Sequence, residues 1–217
     1  MTMKMLHYVV GPIATNCYVL VSDDNEGIVI DPGASGARIG AEIEKNGVTP
    51  VAVLLTHGHF DHVGGVEDLV SFFKEKNITF PVYIMKDEMA TLKDPMINRS
   101  GFMGREAKDY SGLITDTFEP DERKTIAGFT FQVIPCPGHT PGGCSYYFPD
   151  QKILFSGDTL FYGSAGRTDF EGSSTSAIIH SIRDRLLVLP DDVTVFPGHE
   201  SETTIGFEKV NNPYAQF

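Results

Sequence analysis

The chain is short of positive charge, short of cysteine and without a long apolar run, and each shortage removes a class of function. Its 217 residues carry 17 lysines and arginines against 29 acidic residues, a formal net charge of −12. Such a surface repels DNA and RNA, so no nucleic-acid partner is expected. The three cysteines, Cys17, Cys136 and Cys144, form no paired framework, which argues against a disulfide-stapled secreted protein. They read as small buried hydrophobes. No window is apolar for the length a bilayer requires, so no membrane span is expected. The start, Met1-Thr2-Met3-Lys4-Met5-Leu6-His7, lacks a long apolar core and a small-residue cleavage site, and the expected location is the cytoplasm.

What is present fits one globular domain spanning residues 1–217. Glycine (22) and proline (13) are plentiful, as short strands and tight turns require. Lys4 to Val10, Cys17 to Val21 and Gly27 to Ile30 read as strands, and Ala34 to Asn46 reads as a helix. Val51 to Leu55 has no polar alternation and predicts a strand buried on both faces. Asp61 to Lys76 predicts a helix with Val66, Leu69, Val70 and Phe73 on one side. A second strand-rich section follows: Phe129 to Pro135, Cys144 to Phe148, Ile153 to Ser156 and Val193 to Phe196. Ser173 to Leu189 predicts a helix with Ile178, Ile182 and Leu186 four apart. Residues 94–117, broken by Pro95, Ser100, Gly101, Gly104 and Gly112, read as a lid or insertion. That segment either offers Ile97, Phe102, Met103 and Tyr110 to a ligand or docks them on the core. Two halves of strands plus helices predict an α/β fold, two sheets packed face to face with helices outside.

The chain has only seven histidines, and three stand together in Thr56-His57-Gly58-His59-Phe60-Asp61-His62. His57 and His59, two apart on an extended segment, project to one side and can approach a single ion. Asp61 and His62, opening a helix, can reach a second ion nearby. Three later turns carry a ligand-type side chain after an apolar run: His139 in CPGHTPGG, Asp158 in LFSGDTLF and His199 in VFPGHE. The strand ends should gather them at one edge of the sheets. Thr56, Thr140 and Thr159 are candidate hydrogen-bond donors behind the ligands. His7 and His180 lie in no such turn and read as ordinary residues.

This set resembles the metallo-β-lactamase fold superfamily, whose HxHxDH signature stands here as His57, His59, Asp61 and His62, and the resemblance runs almost end to end. It implies an αββα four-layer sandwich of two mixed sheets. It also implies one ion held by His57, His59 and His139, a second by Asp61, His62 and His199, and Asp158 bridging the two. GDTLFYGSAGRTDF and the ending PGHESETTIGFEKVNNPY are similar to the glyoxalase II (hydroxyacylglutathione hydrolase) group and its small bacterial relatives. Two features depart from full-length glyoxalase II. The helical domain that supplies glutathione's basic contacts does not follow, and Arg167 and Asp169 replace a lysine and a tyrosine.

The resemblance implies hydrolysis of a small-molecule thioester, S-lactoylglutathione or a similar compound, by a hydroxide bridging two divalent ions. Asp61 and Asp158 are the candidate catalytic residues, and Arg167, Tyr162 and Phe161 the candidate substrate contacts. Zinc is the first expectation for the ions. Iron and manganese are alternatives, because imidazole and carboxylate ligands suit all three. One rival is a mononuclear iron persulfide dioxygenase of the same superfamily, using His59 (or His57), His139 and Asp158. Another is a non-catalytic metal-binding protein, disfavoured because burying seven polar ligands costs stability unless metals satisfy them.

Overall fold

In the computed structural model, which describes residues 4–102 and 106–216, helices cover the outer faces of two six-stranded sheets. The first sheet is β1 (Lys4–Val10), β2 (Thr15–Val21), β3 (Glu26–Ile30), β4 (Thr49–Leu55), β5 (Val82–Met85) and β6 (Asp116–Phe118), paired in that order. β1 to β3 form an antiparallel meander, and β3 to β6 run parallel. The second sheet begins with β7 (Arg123–Ile126), β8 (Phe129–Pro135), β9 (Cys144–Phe148) and β10 (Ile153–Gly157). A separate ribbon of β11 (Leu160–Phe161) and β12 (Ser164–Ala165) precedes β13 (Thr194–Pro197) and β14 (Thr203–Thr204). The spatial order is β14-β13-β10-β9-β8-β7, with β10 and β13 parallel and the other pairs antiparallel. Both sheets are therefore mixed.

The apolar side chains fall into three cores, as four layers demand. Along β4 the two-residue period splits them: Val53 and Leu55 face the helices, while Ala52 and Leu54 face the other sheet. Leu20, Ile28, Leu54, Phe131, Tyr146 and Phe155 build the core between the sheets. On one outer face lie α1 (Gly36–Lys45), α2 (Phe60–Val63), α3 (Val66–Lys74) and α4 (Met89–Lys93), anchored by Ile39, Ile43, Leu69, Phe73 and Leu92. On the other, α5 (Thr175–His180), a π-helical turn over Ser181–Leu186 and α6 (Ile205–Asn211) bury Ile178, Ile182, Leu186 and Ile205. The three cysteines are free and buried. Among the described residues no helix is long and apolar enough to cross a membrane.

Three expectations need correction. The helix expected over 61–76 is two helices broken at Gly64-Gly65. A Cβ on Gly65 would stand 2.5 Å from the Pro32 carbonyl oxygen, so the chain there must be bare for the β3–α1 turn to pass. The helix expected over 173–189 starts at Thr175, where the Ser174 hydroxyl accepts from the Ala177 amide (3.2 Å), and widens at Ser181. The segment over 94–117 ends sooner than expected, because 116 and 117 belong to β6. Within it Asn98, fully buried, donates from Nδ2 to the Leu92 and Lys108 carbonyls (2.9 Å each). Tyr110 packs into the helix-side core, Phe102 is exposed, and Met103 lies outside the described residues.

Candidate metal centre

Four strand ends and one short helix bring the expected ligands to a single edge of the sandwich. His57 and His59 follow β4, and Asp61 and His62 ride on α2. His139, Asp158 and His199 follow β8, β10 and β13 of the other sheet. Donor atoms of three residue sets fall within 4.8 Å of one another: His57-His59-His139, His57-His62-Asp158 and Asp61-His62-His199. All seven expected ligands are in these sets. All are buried except His199, whose side chain is one-fifth exposed.

The hydrogen bonds behind the imidazoles fix which nitrogen is free. His57 Nδ1 meets the Thr56 hydroxyl at 3.1 Å, and that hydroxyl donates onward to Asp31 at 2.6 Å. His139 Nδ1 donates to the Arg167 carbonyl (2.8 Å), and His62 Nδ1 donates to Asp31 Oδ2 (2.9 Å). In the neutral rings the Nε2 atoms of all three are thereby left as lone pairs facing the cluster. His57 Nε2 and His139 Nε2 lie 3.1 and 2.9 Å from His59 Nδ1. Nitrogens bound tetrahedrally at about 2.0–2.1 Å from a zinc ion lie roughly 3.3 Å apart, so this triangle has the right size for one. His62 Nε2 and Asp158 Oδ1 are buried without a hydrogen-bond partner. Orphaned polar atoms cost stability when buried, and a cation between them removes that cost. The donor set therefore fits divalent ions.

The electrostatics divide the cluster. Burial, reinforced by His62, holds His57 neutral far below its ordinary range. Burial and His139 push His59 down to about 3. Both are ready as neutral ligands. Burial opposes charge on His62, but Asp61, Asp158 and Asp31 outweigh it and raise its pKa well above the ordinary value. His199 is raised in the same way, burial being overcome by Asp61 and Asp158. Asp61 and Asp158 are themselves held ionised, because His62 and its neighbours outweigh burial.

Two buried carboxylates that the sequence reading missed support the ligands. Asp31, 2% exposed, accepts from the Thr56 amide (2.8 Å) as well as from Thr56 Oγ1 and His62. Its signal was the Ile30-Asp31-Pro32-Gly33 turn after β3. Glu88, fully buried, accepts from the Gly58 amide (2.9 Å) and the Gly142 amide (2.8 Å) and so joins the turn after β4 to the turn after β8. Nothing in its local sequence, Lys86-Asp87-Glu88, marks it. Thr15 also donates to Asp61 Oδ2 (2.9 Å).

A cavity of about 700 Å³ opens over the cluster, lined by Ile13, Arg99, Phe102, Phe161, Arg167 and Phe170 beside the ligands. Phe161 meets His199 edge-on at 6.1 Å. Tyr162 stands outside this lining, half exposed and stacked on Phe207. Arg167 is occupied: its Nε and Nη2 donate to both oxygens of Asp169, at 3.0 and 2.8 Å.

A family model described as "Metallo-beta-lactamase superfamily" matches residues 10–199. Among curated proteins, the "Probable metallo-hydrolase YqgX" of Bacillus subtilis is 40% identical, over 98% of this chain and 97% of its own. The "Hydroxyacylglutathione hydrolase GloC" of Haemophilus influenzae is 35% identical, over 92% of each chain. Among solved structures, the "BLEG-1 B3 metallo-beta-lactamase" superposes with a TM-score of 0.85 at 38% identity, covering 99% of this chain and all of the other.

Proposed function

The chain belongs to the metallo-β-lactamase superfamily as a metallo-hydrolase, and from that premise we propose that it cleaves acyl thioesters in the manner of glyoxalase II, with S-lactoylglutathione or a similar compound as substrate. One observation carries the reading: seven donors from both sheets converge, and the Asp158 carboxylate lies between two imidazole sets. Asp158 Oδ1 is 3.4 Å from His62 Nε2, and Oδ2 is 3.4 Å from His139 Nε2 and 3.5 Å from His199 Nε2.

His57, His59 and His139 would hold one ion, and Asp61, His62 and His199 the other. Asp158 would serve both. Such a pair, when bound, supplies a hydroxide nucleophile at neutral pH and polarises the carbonyl it attacks. Zinc is the proposed metal; iron and manganese suit the same donors. Asp61 is oriented by the Thr15 hydroxyl, which fixes one of its carboxylate oxygens beside the cluster. Phe161, Phe170 and Ile13 give the acyl arm an apolar wall. A thiolate leaves without needing a proton, and the described lining presents no dedicated acid for one.

The persulfide dioxygenase reading needs one ion and leaves Asp61, His62 and His199 without work. β-Lactam hydrolysis is the second reading, favoured by the name of the solved relative at 38% identity. The deciding experiment follows S-lactoylglutathione hydrolysis by zinc-loaded protein as loss of the thioester absorbance. Turnover should fall about a hundredfold or more in Asp158→Ala, with loss of bound metal. Full activity in that variant sinks the two-ion reading. Cleavage of a chromogenic cephalosporin with no thioester cleaved moves the substrate to β-lactams.

A further inference from the structure

This acidic chain keeps, beside the expected ligands, an arginine with no direct ion pair among the described residues. Arg99 lines the cavity, its guanidinium 4.1 Å from the ring centre of Phe102 and 4.2 Å from that of Phe170. Phe170 in turn meets His59 and His139 edge-on, 5.8 Å between ring centres in each case. Taken together, the two steps place the guanidinium within about 10 Å of both imidazoles. Arg167 covers Phe170 too, at 4.5 Å, but its fork is filled by Asp169. Arg99 makes no direct ion pair among the described residues; Asp169 is near enough to feel its charge, but both of its oxygens are held by Arg167. Glu200, the acidic residue of the wall apart from the ligands, stands next to His199 and so on the side of the other imidazole set.

The backbone holds Arg99 in place. Its φ is 69°, in the left-handed region that non-glycine residues enter only under constraint. Its neighbours Asn98 and Ser100 are fully buried, and both are tied to the Lys108 carbonyl. A guanidinium braced between aromatic faces keeps its N–H edge available for a planar or tetrahedral oxyanion, and gives up little freedom on binding one.

We propose that Arg99 anchors an anionic group, a carboxylate or a phosphate, that the substrate carries a few bonds from its scissile carbonyl. Phe102 and Phe170 flank the intervening chain. The carbonyl rests on the thioesterase reading above; the anion does not.

The test uses non-hydrolysable thioethers of one length ending in carboxylate, phosphonate or carboxamide, titrated calorimetrically into zinc-loaded protein. The better charged probe should bind roughly 10- to 100-fold more tightly than the amide, and which of the two it is names the anion. Arg99→Met, with metal content at the wild-type level, should erase that preference. Arg99→Lys should keep part of it. Equal binding of charged and neutral probes by the wild type overturns the proposal. So does an Arg99→Met protein that still prefers the anion, because the ions themselves would then be holding it. The matching thioesters, assayed in parallel, separate the two readings. Arg99-dependent anion binding with no thioester cleaved keeps this subsite and removes the thioesterase, whereas cleavage without anion preference does the reverse.

Discussion

At the scale of single residues, the site is set by what each position has and by what one position lacks. Gly198 precedes His199, and a Cβ there would lie 2.3 Å from Asp158 Oδ1 and 2.7 Å from His62 Cε1. No side chain carbon fits at those distances, so even a methyl group must push Asp158 and His62 apart. Gly198→Ala is therefore expected to spare His57, His59 and His139 and to disrupt the second set. Metal analysis after dialysis should show bound zinc falling by about half, with turnover lost in parallel. Two ions retained per chain would show that the turn yields without cost. Asp31 acts at the same scale: one carboxylate orients Thr56 and His62, so its effect reaches a ligand of each set.

At the scale of elements, Glu88 is a clamp between two turns that belong to different sheets. Burial pushes its pKa up to about 7, although the Gly58 and Gly142 amides favour its charge. A carboxyl whose folded pKa exceeds its ordinary value of 4.5 binds its proton more tightly when folded. Its contribution to stability is thus complete below pH 4.5 and is lost as pH rises through 7, about 3 kcal/mol across that window. Urea unfolding of the metal-stripped protein should show this decline, and Glu88→Gln should flatten it. An unchanged slope in the variant would mean that Glu88 does not titrate there.

The same scale shows what the sequence made legible. The seven expected ligands could be read because four crowd into the one stretch 57–62 and the other three each follow an apolar run in a glycine-bearing turn, all local signals. The layers could be read because β4 and β8 have simple burial patterns. Glu88 and Arg99 could not, because their roles come from contacts with residues far along the chain, Gly142 for one and Phe170 for the other. The short, half-exposed β7 and the break at Gly64-Gly65 escaped for related reasons. One has no apolar period, and the other answers to the Pro32 carbonyl rather than to its own helix.

At the scale of the whole molecule, the proposed ligands come from both halves. His57 to His62 belong to the first sheet and its helices; His139, Asp158 and His199 belong to the second. Ions bound between them stabilise only the assembled state, so their removal should loosen the whole fold rather than one loop. For zinc held a thousandfold above its dissociation constant the effect is about 4 kcal/mol, or on the order of 10 °C in melting temperature for a chain of this size. Calorimetry with and without a chelator measures it. A melting temperature indifferent to the chelator would mean that no ion spans the halves.

The division of the core between the sheets also has a consequence in time. On a ribosome the strands bearing Leu20, Ile28 and Leu54 are made well before Phe131, Tyr146 and Phe155, which cover them. Through that interval the nascent chain shows an uncovered apolar face and half a ligand set. It is then most open to aggregation and most in need of a chaperone. His199 is synthesised last of the seven, so a new molecule can be provisioned with its full complement of metal only once β13 and the turn after it have been made.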